Sequence, residues 1–220
     1  MTQAGSIEGK RVVSVNVGTP REVRVQNTAV ATAIFKSPVE GRIALRRNNL
    51  AGDRQADLTV HGGLHKAVYL YPAEHYRYWA EQLPGAELPF GAFGENLTTA
   101  GLLEESVRIG DRFRIGSAVL QVTQPRMPCY KLAIRFGRAD MVKRFWISGR
   151  SGIYFSVVEE GELVAGDAIE QVGAGPEEIT VADVVRLFRG DETDPEKLRR
   201  AMRAPLFGSW KEELDARRRA

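Results

Sequence analysis

The chain has 220 residues, 43% hydrophobic and 27% charged, a composition that forms a core without disulfides or a structural metal. Its formal charge of +3 and its pI near 9.1 indicate less positive charge than a nucleic-acid-binding surface carries. We therefore expect no nucleic-acid polymer among its partners. It has no run of about 18 apolar residues, no apolar signal segment at its start and one cysteine, so we expect a cytoplasmic protein that does not contact a membrane.

Short β segments separated by glycines fill the first two thirds of the chain. Alternation of apolar and polar residues, or a short apolar run, predicts strand segments at 11–18, 28–36, 41–46, 67–71 and 106–124. Residues 153–158 and 163–172 are expected to form a closing hairpin around Glu160-Gly161. Strands this closely spaced favour a closed β-barrel or a strongly curled sheet. The fold class predicted is mainly β (α+β).

Short helices are predicted around this barrel. One covers residues 72–83, with Pro72 at its first position, and two follow the cysteine at 130–136 and 140–147. Helix caps then recur beyond the glycine-rich stretch 172–176, at Thr180, Asp194 and Ser209. We therefore divide the chain into a barrel at residues 1–174 and a C-terminal three-helix unit at residues 175–220.

The C-terminal unit is too small for a robust core of its own, because apolar burial in about 45 residues barely balances the entropy of ordering them. We therefore expect it to pack on the barrel or on a second subunit, which leaves a homodimer open. We also expect it to lie beside the chemical site.

Cys129 is the first candidate for chemistry. Pro125 and Pro128 keep the approach non-helical, so the cysteine falls at the start of a helix, where free N–H groups and the helix dipole lower the pKa of a thiol. Arg126 and Lys131 add positive charge. A thiolate in this setting is a nucleophile or a soft metal ligand, and the alternative is a buried, inert side chain.

A glycine-rich segment, 52–66, is the second candidate. Its paired glycines let the backbone approach an anion, and Lys66 adds a point charge. His61 and His65 are four residues apart, but the glycines between them argue against a helical zinc pair. A plain turn with a hydrogen-bonded histidine is the favoured interpretation of this segment taken alone. Residues 93–98, 36–37 and 149–152 are weaker candidates for polar or phosphate contacts.

Five segments, taken together and in order, resemble the MOSC family (the molybdenum cofactor sulfurase C-terminal domain). They are GDRQAD (52–57), HGGLHKAVYLYPAEHYRYW (61–79), FGENLT (93–98), IGDRF (109–113) and QPRMPCYKL (124–132). The resemblance is greatest to the YiiM-type branch, whose members also carry a C-terminal 3-alpha domain. It extends from about residue 12 to the end of the chain.

This resemblance implies a MOSC-type β-barrel and a molybdenum cofactor (Mo-molybdopterin) whose metal is ligated by Cys129. It also implies a reductase of N-hydroxylated small molecules, converting hydroxylaminopurine-type base analogues, amidoximes or hydroxylamines to amines. The sequence has no ferredoxin or flavin segment, so a separate electron-donor reductase is expected. Whether pyridoxal phosphate also binds stays open.

The site residues follow from the resemblance. His61 and Asn96 are expected to orient the substrate or the oxo group beside Cys129. The residues expected to bind the cofactor are Lys36, Ser37, Arg54, Lys66, Arg126 and Arg150. An alternative of a different class is a non-catalytic carrier of the cofactor or of sulfur, which uses the same cations and Cys129.

Overall fold

The computed structural model describes residues 9–56 and 63–219 of the chain. The strands are β1 (Arg11–Val17), β2 (Arg21–Val25), β3 (Thr28–Thr32), β4 (Ser37–Pro38), β5 (Ile43–Leu45), β6 (Val68–Pro72), β7 (Leu97–Ala100), β8 (Arg112–Ile115), β9 (Ala118–Pro125), β10 (Ile153–Glu159), β11 (Gly161–Leu163) and β12 (Ile169–Gly173). The helices are α1 (Glu74–Gln82), α2 (Tyr130–Phe136), α3 (Met141–Ser148), α4 (Val181–Arg189), α5 (Pro195–Arg203) and α6 (Ser209–Arg219). Within the described ranges, no helix combines the length and the apolar character needed to cross a bilayer.

Among the described residues, eight strands form one sheet in the order β12-β8-β9-β10-β6-β7-β1-β4, and only its β6–β7 pair is parallel. The sheet closes on itself because β1 also bonds to the segment leading into β12. Val12 N donates to Asp167 O at 2.9 Å, and Ile169 N donates to Lys10 O at 2.8 Å. The mainly β (α+β) barrel with peripheral helices is therefore confirmed.

Strand β6 shows how the barrel is packed. All five of its residues are buried, which explains its continuous apolar run. Val68 and Leu70 belong to the main apolar cluster of the barrel, whereas Tyr69 and Tyr71 belong to a second, largely aromatic cluster. Side chains on opposite faces of one strand thus connect two cores.

The predicted hairpin of residues 153–158 with 163–172 is wrong. Strand β10 pairs with β9 and β6, β12 pairs with β8, and β11 between them pairs with β5. Gly161 packs closely against a neighbouring turn, since a Cβ at this position would lie 2.6 Å from the backbone of Ser117 and Ala118. The close approach of that β8–β9 turn gives the glycine a role other than a hairpin turn.

Other predicted boundaries also shift. Pro72 ends β6, where it lies opposite Thr99 of β7, and α1 begins only at Glu74. Caps at Thr180 and Asp194 are confirmed, but Ser209 is the first residue of α6 and is not its cap. The exposed hairpin of β2 with β3 and the short strand β7 were not predicted.

The C-terminal helices pack on the barrel. Ile109 N donates to Ile179 O at 3.0 Å, and Val181 N donates to Val107 O at 2.9 Å. Ten apolar residues of this unit belong to the main cluster of the barrel: Ile179, Val181, Val184, Val185, Leu187, Ala201, Ala204, Leu206, Trp210 and Leu214. The division at residue 174 stays a prediction, although its two parts share one core.

Ile179→Ala tests this shared core. Ile179 is fully buried, and we expect the truncation to lower the free energy of unfolding by about 2–5 kcal/mol. Because the core is common to both parts, the whole chain should still unfold in one transition, measured by urea denaturation. Val172→Ala, at an exposed position, is the control and should change stability by no more than about 0.5 kcal/mol. A separate early transition of the helices would contradict the prediction.

Candidate functional site

Cys129 lies in the connection between β9 and α2. Its extended backbone, with φ −123° and ψ 168°, makes it the residue that precedes the first turn of α2. Its carbonyl oxygen accepts a hydrogen bond from Leu132 N at 2.9 Å. The predicted helix start is therefore confirmed. The side chain is half-buried, which differs from the fully enclosed thiol of the inert alternative.

A cleft opens at Cys129, with an interior of about 90 Å³ and about 590 Å³ when its open mouth is counted. Asp53, Asn96, Tyr69 and Tyr154 line it together with the cysteine. Five cationic side chains also line it: Lys36, Arg54, Lys66, Arg126 and Lys131. The cleft is suited to a ligand with several negative charges.

Asp53 organises one wall of this cleft. Its carboxylate pairs with the Lys36 ammonium and accepts hydrogen bonds from Gly18 N at 2.8 Å and from Asn96 Nδ2 at 3.0 Å. Burial lowers the pKa of Lys36, and Asp53 opposes this shift. The Asp53 carboxylate thus already compensates part of the Lys36 charge. Asn96, through its hydrogen bond to Asp53, is a positioning residue for this ion pair.

Arg126 forms the floor of the cleft and is almost fully buried. Its Nη1 donates to Phe93 O, and its guanidinium lies over the Tyr69 ring at 4.7 Å from the centroid. Burial lowers the pKa of Arg126, but the Tyr69 and Tyr154 phenols and Cys129 more than offset it, so the pKa is raised above its ordinary value. A permanent positive charge therefore lies beside the cysteine.

Glu95 holds the loop that carries Phe93 and was not predicted as a site residue. Its carboxylate accepts from Gly91 N at 2.8 Å, from Phe93 N at 3.1 Å and from Thr98 Oγ1 at 2.9 Å, and it also pairs with the Tyr76 hydroxyl. Burial raises its pKa, and these donors partly counter the shift. The acidic residue inside the FGENLT segment was the available signal, since three of its partners lie within four residues of it and only Tyr76 is further away, at 19 residues.

The structure brings together most of the predicted site residues. Lys36, Arg54, Lys66, Asn96, Arg126 and Cys129 all line the one cleft. Ser37 is instead exposed in β4, opposite Val17. Arg150 stacks on the Tyr78 ring at 3.8 Å and donates to Ser148 O, away from the cleft lining. His61 lies outside the described residues. The roles assigned to all of these residues remain predictions.

A profile of the MOSC domain family matches residues 57–170, more than half of the chain. The chain belongs to the MOSC domain family. The protein YflK of Bacillus subtilis (strain 168) is 44% identical over 201 residues, which cover 91% of this chain and 90% of YflK. The protein YiiM of Escherichia coli (strain K12) is 40% identical over 85% of this chain and 84% of YiiM.

A fungal relative is longer. The reductase of Gibberella moniliformis is 33% identical over 80% of this chain, and the match covers 32% of that protein. Among solved structures, YiiM from Geobacillus stearothermophilus superposes with a TM-score of 0.78 at 32% identity, covering 94% of this chain and 98% of that one. The superposition leaves only about 6% of this chain and 2% of that chain uncovered.

Proposed function

We propose that this MOSC protein is a molybdenum cofactor-dependent reductase of N-hydroxylated small molecules. The observation that carries the proposal is the meeting of one half-buried cysteine with five cationic side chains in one cleft. MOSC proteins are associated with molybdenum cofactor binding, and a fungal relative is named a reductase. Conversion of a hydroxylamine to an amine consumes two electrons and two protons and releases one water.

The donors in the cleft suit the molybdenum cofactor. Cys129 offers a thiolate, a ligand type preferred by soft metal sites. Lys66, Arg54 and Arg126 offer charge to the phosphate and ring oxygens of a pterin, with Lys36 supplying a partly compensated charge. When bound, the cofactor supplies the redox chemistry, and the protein supplies its position and electrostatic surroundings.

Electrons come, in this proposal, from a separate reductase protein. The open mouth of the cleft gives a partner access to a cofactor bound there. The substrates proposed are base analogues of the hydroxylaminopurine type, amidoximes and hydroxylamines, and the cytoplasm is the proposed location.

Loading and turnover test this function. We expect protein from a host rich in molybdenum cofactor to carry molybdenum and pterin, and to reduce benzamidoxime or 6-hydroxylaminopurine with a chemical reductant. Metal and pterin are measured by mass spectrometry and the amine by chromatography. A loaded protein that turns over neither compound with either a chemical or a protein reductant would support the carrier alternative instead.

Lys66→Ala tests the anion-binding role of the cleft. Loss of one charged hydrogen-bonding partner should weaken cofactor binding by about 1.5–3 kcal/mol, seen as lower molybdenum and pterin retention on dialysis. Lys143→Ala removes an equal charge from an exposed site on α3 and serves as the matched control. Equal retention by both variants would contradict the assignment.

A further inference from the structure

One cationic side chain of the cleft, that of Lys131, has no partner of its own. It is 7% exposed, yet it makes no hydrogen bond or ion pair with any residue that the structure describes. A buried lysine is rare unless its ammonium is paired, because an isolated charge is costly to remove from water. A buried ammonium that lines the cleft without a partner therefore indicates a site for negative charge that comes from outside the chain.

The start of α2 directs this lysine into the cleft. Cys129 and Lys131 both line the cleft, whereas Tyr130 between them is 57% exposed. Cys129 also borders a neighbouring cavity of about 220 Å³, which Ser209 and Trp210 of α6 close on one side. Lys131 is absent from the described residues that line this cavity. The lysine thus lies on the cleft side of the cysteine, where the proposed function puts the cofactor.

The neighbouring charged groups of the cleft are already engaged. Lys36 pairs with Asp53, the only acidic residue among the described residues of the lining. Asp53 also accepts hydrogen bonds from two other groups, and the Arg126 guanidinium donates to Phe93 O. No carboxylate of the described lining is therefore left to offset the charge of Lys131.

We propose that Lys131 stabilises the negative charge that the metal site at Cys129 gains on reduction, and that it thereby raises the reduction potential of this site. The inference rests on the proposed function and deepens it. Each reduction step adds one electron from the electron donor and breaks no bond to the protein. A fixed positive charge nearby, in a partly buried site, favours the more negative of two states. Because no described carboxylate offsets it, the Lys131 charge acts on the metal site at full strength.

Lys131→Met removes the charge and keeps an unbranched side chain of similar length. In the protein loaded with cofactor, the equilibrium constant for one-electron reduction should fall about tenfold, which is a drop of about 59 mV in the midpoint potential. The potential is measured by titration with dithionite, followed by electron paramagnetic resonance of molybdenum. The melting temperature of the cofactor-free variant should be no lower than that of the wild type, because the change removes no hydrogen bond or ion pair within the described ranges.

Two further variants isolate the effect of charge. Lys131→Arg keeps the charge at this position and should keep the potential of the wild type. Lys143→Met removes an equal charge from an exposed position on α3, where solvent and salt screen it, and should also leave the potential unchanged. An unchanged potential in Lys131→Met, or equal shifts in Lys131→Met and Lys131→Arg, would overturn the proposal. Loss of the cofactor from Lys131→Met would overturn it as well, since the lysine would then act in cofactor retention.

The two proposals fail in different ways. A wild-type protein that carries molybdenum but reduces no N-hydroxylated compound, with a potential that falls in Lys131→Met, would overturn the reductase and leave the role of Lys131. An active reductase whose potential does not depend on Lys131 would do the opposite. A wild-type protein that takes up no molybdenum would overturn both.

Discussion

Cys129→Ser is expected to abolish molybdenum binding while the fold stays intact. Serine differs little in volume but offers no soft thiolate, so the metal loses its protein ligand. Molybdenum per protein should fall by more than about tenfold, because even the loss of an outer partner of a ligand costs about 10- to 100-fold in affinity. The measurement is elemental analysis of protein purified from a cofactor-rich host.

The fold of this variant is checked by its melting temperature, which should match the wild type because Cys129 is half-buried and lies outside both apolar clusters. Met127→Ala, two residues earlier and exposed, is the matched control and should retain its metal. Full molybdenum content in Cys129→Ser would refute the role of this side chain as a ligand.

Glu95→Ala should cause the largest loss of stability. The change leaves Gly91 N and Phe93 N without their acceptor and also removes the partner of Thr98 Oγ1. At about 1–3 kcal/mol for each of these three unsatisfied groups, we expect the free energy of unfolding to fall by at least about 3 kcal/mol. For a chain of this length the melting temperature should fall by roughly 10 °C, measured by calorimetry.

Tyr76→Phe is the graded comparison for Glu95→Ala. It removes one donor to the same carboxylate but leaves the two backbone contacts in place. We therefore expect the free energy of unfolding to fall by about 1 kcal/mol. A loss of stability as large as that of Glu95→Ala would mean that the tyrosine, and not the backbone, anchors the loop. Glu95→Ala should also release cofactor, since Phe93 O holds Arg126.

Local signals predicted much of this molecule. The prolines at 125 and 128 place Cys129 at the start of α2, and the Thr180 and Asp183 side chains form the capping box of α4. Each of these features depends on residues a few positions apart, so both partners of the contact can be identified within one short segment of the sequence. The cationic cleft was predicted through the family resemblance, which supplied the joint placement of residues 36, 54, 66, 126 and 129.

Long-range pairing could not be predicted in the same way. The alternation of β10 and β12 suits a hairpin as well as separate partners, and the observed partners, β9 for β10 and β8 for β12, come from other segments of the chain. The wall of Trp210 and Ser209 beside Cys129 depends on the packing of α6, about 80 residues further along the chain. The spacing of residues within one segment does not indicate which distant segment will pack against it.

A cavity lined by Lys66, Cys129, Ser209 and Trp210 combines residues from inside and outside the region that the family profile matches. The family profile ends at residue 170, so Ser209 and Trp210 come from outside the region that defines the MOSC domain. Lys66 and Cys129, by contrast, lie inside that region. Substitutions in the appended helices would then remodel the far wall without altering the ligands at the cysteine. Related barrels with different C-terminal helices would then differ at this wall while keeping the residues around Cys129.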